Sequence, residues 1–180
     1  MFACGGFMFT EYALTKLNKT RQLVAGKLKK IDAMLDAREQ LLLKYCTLVD
    51  PIVEGTHQEY PPKDKLAKFC ESLIDYTSRG HFDIYPRILQ IMETLSGKRL
   101  LVAQKIIPKI MNNTEEILCF DDKYGGEADP RPSQDLDELK KDLGKIGQIL
   151  ETRFTLEDRL VIVLQIMDDL MQASASPAKQ

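Results

Sequence analysis

From Asp135 to Met171 apolar residues return every three or four positions: Leu136, Leu139, Leu143, Ile146, Leu150, Phe154, Val161, Leu164, Met167 and Met171. That spacing is the signature of one face of an α-helix. An unbroken helix over this stretch would be about 55 Å long at 1.5 Å per residue, and a rod of that length has to be covered by other elements laid along it. One restart point exists. Thr155-Leu156-Glu157-Asp158 has the form of a capping box, which would begin a second helix there.

The rest of the chain repeats the same period, and β alternation is absent. Ile31, Leu35, Leu42, Tyr45 and Val49 form a stripe on a helix over 31–49, and Arg38 falls on that stripe. Residues 50–63, with three prolines and a glycine, read as a loop. Leu66, Phe69, Cys70, Leu73 and Tyr76 mark a helix over 64–79. Gly80 then suits a left-handed stop, Asp83 suits the cap of a new helix, and Pro86 is tolerable in its first turn. Ile84, Ile88, Ile91 and Leu95 continue the apolar pattern, so 64–95 reads as a tight antiparallel αα-hairpin. A helix over 98–124 contains Pro108, where a kink is expected, and ends at Gly125-Gly126. The sum is an all-α antiparallel bundle of about five to six helices with a long C-terminal helix. It forms a single domain over 10–172, between a flexible extension at 1–9 and a disordered tail at 173–180.

With 44% apolar residues in 180, the chain can bury a substantial core. No apolar run approaches membrane-spanning length, and the first seven residues do not read as a signal peptide. Four cysteines lack paired spacing and fit reduced thiols in a cytoplasmic protein. Two histidines and no CxxC do not supply a structural zinc site, and HExxH, GxSxG and glycine-rich phosphate-loop motifs are absent. No cofactor is implied.

The net charge of −2 argues against a dedicated nucleic-acid binder, but it is unevenly placed. Lys16–Lys30 holds six bases and no acid, a weak candidate for nucleic-acid contact, while residues 112–142 carry ten acids against four bases. Solvated helix faces would account for both. An acidic face steering a basic partner is the sharper reading.

Several residues stand out singly. Arg38, a charge on an apolar stripe, must be paired or reach a cleft edge. Asp75 and Arg79 share a polar helix face as an i,i+4 pair worth about 0.3–0.5 kcal/mol. His81 lies at the Gly80 break between the carboxylates of Asp75 and Asp83. Its plain role is a local hydrogen bond; a partner contact is the functional one, and a metal- or small-molecule-dependent enzyme built on His81, Asp75 and Asp83 is the alternative from another class. Methionines 34, 92, 111, 167 and 171 read as core filler.

The stretches "LLLKYCTLVD" and "LAKFCESLIDYTSRGHFDIYPRIL", followed by "IGQILETRFTLEDRLVI" (146–162), resemble the Rsd/AlgQ family of regulators of sigma D. The likeness runs colinearly from about Ile31 to Leu170. The family pattern has a tryptophan where this chain has Met34, and the loop 121–134 and the first 20 residues diverge. The resemblance implies a helical, non-enzymatic anti-sigma factor, a monomer binding the primary sigma factor of RNA polymerase 1:1, chiefly through its C-terminal −35-recognition region. No membrane and no direct nucleic-acid contact are implied. The expected protein-binding residues are Arg38, Leu42, Tyr45, Asp75, Arg79, His81, Phe82 and Tyr85, with Phe82 as an apolar anchor, Tyr85 beside it, and Asp75 accepting from a basic residue of sigma.

Overall fold

The computed structural model describes residues 5–24, 29–53, 60–95, 98–126 and 135–175, and among them every element is helical. In chain order these are α1 (Gly5–Val24), α2 (Lys29–Val53), α3 (Lys63–Arg79), a π-helical segment (Gly80–Ile84), α4 (Tyr85–Leu95), α5 (Lys98–Tyr124) and α6 (Leu136–Ala175). Helix α2 runs past Pro51 to Val53, and α5 continues through Pro108. Residues 5–9 lie within α1 and residues 173–175 within α6.

Helix α6 is the spine. Its 40 residues run without interruption, about 60 Å at 1.5 Å per residue. Asp135 caps it: its carboxylate accepts from the backbone N–H groups of Asp137 (2.9 Å) and Glu138 (3.3 Å). The capping-box restart at Thr155–Asp158 does not occur. The Thr155 hydroxyl bonds back to the Glu151 carbonyl within the helix, and Glu157 and Asp158 point into the core. Helix α1 packs on α2 and α6, α2 on α3, and α5 on α3, α4 and α6.

The apolar stripes are what these contacts bury. Ile31, Leu35, Leu42, Tyr45 and Val49 of α2 are in the core, as are Leu66, Phe69, Cys70, Leu73 and Tyr76 of α3. Ile84 and Ile88 join them, with Leu139, Leu143, Ile146, Leu150, Phe154, Val161 and Leu164 of α6. The Leu95, Met167 and Met171 side chains lie outside the described residues. A run of rings, Tyr45–Phe69–Phe120–Tyr124, crosses from α2 through α3 to α5 with centroids 4.7–6.0 Å apart. Where α2 meets α6, the Tyr45 hydroxyl donates to the Leu143 carbonyl at 3.0 Å.

The hairpin expected at 64–95 is instead one rod. Gly80 has φ −54° and ψ −53°, an ordinary right-handed helical conformation rather than a left-handed stop. The Tyr85 N–H reaches back to the Gly80 carbonyl, an i→i+5 bond. A π turn just before Pro86 relieves the clash that the proline ring would make with the carbonyl four residues back. Asp83 therefore caps nothing; its carboxylate pairs with Lys30 on α2. Glycine is needed at position 80 for space, since an added Cβ would lie 2.7 Å from the Tyr85 hydroxyl and 2.9 Å from its ring carbon. Packing explains why the punctuation of glycine, aspartate and proline does not end the helix. The buried positions Leu73, Tyr76, Gly80, Ile84, Ile88 and Met92 keep one face turned to the core straight through it.

Candidate functional site

Arg38, 1% exposed, is not at a cleft edge but at the centre of a buried charge network. Its guanidinium donates to Asp158 at 2.6 Å, to Glu157 at 3.0 Å and to the Tyr76 hydroxyl at 3.3 Å, and it stacks over the Phe154 ring at 4.7 Å. Glu157 also accepts from Tyr76, from Tyr85 at 2.5 Å and from Arg153 at 3.1 Å. Arg153, fully buried, goes on to the Tyr85 hydroxyl (3.1 Å), Thr114 (3.3 Å) and the Ile110 carbonyl (3.4 Å). Two guanidinium groups thus face two carboxylates, as burial of charge demands. Burial would depress the Arg38 guanidinium, but Tyr76, Glu157 and Asp158 outweigh it and hold it above its ordinary value. Burial, then the Glu157 charge, pushes the Tyr85 hydroxyl up, so it keeps its proton and donates.

The network reaches the surface at the π segment. The Thr114 hydroxyl accepts from Arg153, lies 3.4 Å from the Ile110 carbonyl and shares a 2.7 Å hydrogen bond with His81 Nε2. His81 is half-buried, edge-on to Tyr85. Burial and then the Arg153 charge hold the imidazole below its usual range, hence neutral. The next residue, Phe82, is 84% exposed. Asp75, Arg79 and Phe82 stand at i, i+4 and i+7, one exposed strip along the rod. No ion pair joins Asp75 to Arg79 among the described residues; the pair closed on this helix is Asp64–Lys68 at 3.4 Å.

The eight residues picked from the sequence therefore separate. Asp75, Arg79 and Phe82 are exposed and His81 is half-buried beside them. Arg38, Leu42, Tyr45 and Tyr85 are in the core: Tyr85 backs the ridge through Glu157 and Arg153 rather than standing next to Phe82 on the surface. Sequence reasoning missed Arg153, Glu157 and Asp158. The signal was present, because the α6 stripe lacks an apolar residue between Phe154 and Val161 and Glu157 fills that gap, as Arg38 does on α2.

The acidic segment is partly neutralised from within. Lys123 bridges Glu138 (2.7 Å) and Asp142 (2.6 Å), and Lys145 pairs with Glu116 at 2.8 Å. The hydrogen bonds it donates to Asp142 and Glu138 raise the Lys123 ammonium above its ordinary value. Glu115 remains exposed, one residue from the Thr114 that His81 touches. The enzyme constellation does not assemble, for His81 turns to Thr114 on α5 and Asp83 to Lys30 on α2. Among the described residues no three His, Cys, Asp or Glu side chains are placed to hold a metal ion. No helix among them is long and apolar enough to cross a membrane.

Comparison with known proteins gives a consistent result. A family model described as "Regulator of RNA polymerase sigma(70) subunit, Rsd/AlgQ" matches residues 13–165. The protein named "Regulator of sigma D" from Yersinia enterocolitica (serotype O:8 / biotype 1B) is 37% identical over 150 residues, covering 82% of this chain and 87% of its own. Its namesake from Enterobacter sp. (strain 638) is 37% identical over 163 residues, 89% of this chain and 94% of its own. A family match over residues 13–165, with relatives at this identity over most of both chains, makes this chain a member of the Rsd/AlgQ family.

Proposed function

We propose that this protein is a cytoplasmic anti-sigma factor that binds the primary sigma factor of bacterial RNA polymerase 1:1, chiefly through its C-terminal −35-recognition region, and withholds it from the polymerase. The family and the names of its relatives support a sigma factor as the partner. The observation that carries the choice of surface is Phe82, an aromatic side chain 84% exposed on the strip it shares with Asp75 and Arg79. Buried aromatic anchors with a polar surround dominate protein interfaces. A helix-turn-helix is basic because it binds phosphates, so Asp75, and Glu115 next in sequence to the Thr114 that His81 touches, suit it electrostatically. His81 adds an adaptable donor, while Tyr85 and, through Tyr76, Arg38 brace the ridge from within, and Leu42 and Tyr45 belong to the core.

Titration of sigma's C-terminal region against Phe82→Ala and Asp75→Ala tests this, with circular dichroism and melting to confirm the fold. Phe82→Ala should lose about 1–3 kcal/mol of binding, a factor of roughly 5–150. Asp75→Ala should lose less and flatten the salt dependence. If both variants stay folded and bind within about twofold of wild type, the ridge is not the site and the acidic face of α5 and α6 takes its place.

A further inference from the structure

On the other side of the π segment from His81 lies a groove of 260 Å³ between the start of α2, α4 and α6. Its floor is aliphatic, formed by Ile84, Ile91 and Leu164, and its rim is Lys29, Lys30 and Arg87. The volume falls below the ~300–1,000 Å³ of small-molecule sites, so side chains delivered by a larger ligand fit it better than a compound it would enclose. The charge is what identifies that ligand. Of the basic run Lys16–Lys30, Arg21 is spent on Asp36 and Glu39, and Lys16 donates to Thr155. Lys30 meets Asp83, while among the described residues Arg87 bonds the neutral amide of Gln90 and Lys29 is exposed. The rim thus keeps a net positive charge above an apolar floor.

We propose that this groove docks an acidic amphipathic helix of a second protein partner, with aliphatic anchors on the floor and carboxylates on Lys29 and Arg87. That mode is helix-in-groove recognition with i, i+4, i+7 anchors. Its charge preference is opposite to the one expected of the Phe82 ridge, so the two sites take different partners, and this inference does not depend on the sigma reading.

The test uses the full chain and fluorescence anisotropy with a labelled helical peptide about 18 residues long, leucine at the anchor positions and glutamate on the polar face. The glutamate peptide should bind saturably and weaken with salt. Lys29→Glu combined with Arg87→Glu should weaken it about tenfold or more, and Phe82→Ala should leave it unchanged. Equal binding of a lysine-faced or scrambled peptide would overturn the proposal, as would a charge-reversed variant that binds like wild type. So would sedimentation showing that the groove is covered by a second copy of this chain, through a concentration-dependent dimer that the double reversal dissolves.

Discussion

Glu157 accepts hydrogen bonds from Arg38, Tyr76, Tyr85 and Arg153, side chains of α2, α3, α4 and α6. Replacing it with alanine leaves two buried guanidinium groups facing one carboxylate. Glu157→Ala should therefore destabilise the protein by about 3–5 kcal/mol, read as a lower denaturant midpoint with an unchanged slope. His81 supplies a pH dependence. Its folded pKa lies below the ordinary 6.5, so the unfolded chain takes up the proton first. The stability it confers is complete above that ordinary value and is lost as pH falls through the lower folded one. Melting temperatures of wild type and His81→Gln should thus converge from about pH 8 to about pH 5.5; parallel curves would refute the assignment. Arg38 was legible as an anomaly because one side chain broke its own stripe. Glu157 was not, since Thr155–Asp158 spells a cap locally and the arginine that claims the acid lies 119 positions away in sequence.

The α3–π–α4 rod shows where element-level signals mislead. Gly80, Asp83 and Pro86 each favour a break, yet the buried face continues, and a tertiary match outweighs local punctuation. The two uses of glycine can be separated by experiment. Gly80→Ala meets the Tyr85 hydroxyl at 2.7 Å and its ring at 2.9 Å and should cost about 1–3 kcal/mol of overpacking. Gly144→Ala, in the exposed interior of α6 with nothing within 4 Å of the added methyl group, should instead stabilise by roughly 0.5–1 kcal/mol. Thermal melts of the two variants decide it. Gly147 belongs with Gly80, because a methyl group there collides with the Tyr45 hydroxyl at the α2–α6 contact.

For the molecule as a whole, helix class and core were readable because each stripe is a period of one helix and needs no knowledge of its neighbours. The candidate site was only half readable. Periodicity separates polar from apolar faces and put Leu42 and Tyr45 on the stripe of α2 that the core covers, but Tyr85 is seen to be core only once other helices are laid over it. Thiol chemistry reports the same packing. Cys119, exposed, should react with a thiol reagent in the native protein, whereas Cys46 and Cys70 should wait for unfolding. Burial, reinforced by Asp121, pushes the Cys70 thiol up to about 12. The charge network has a consequence for how the molecule moves. Helices α2 through α6 all contribute groups that converge on it, so none can detach without stranding a buried ion. Helix α1 gives the network no hydrogen bond among the described residues and is held by the buried Leu17, the Arg21 pairs and Lys16. Amide hydrogen exchange should accordingly fall into two classes, with α1 opening locally and α2–α6 exchanging together near the global unfolding free energy. Phe82 then rides on a scaffold that this network braces, so a partner docking there would meet a preformed face and association would carry little ordering entropy.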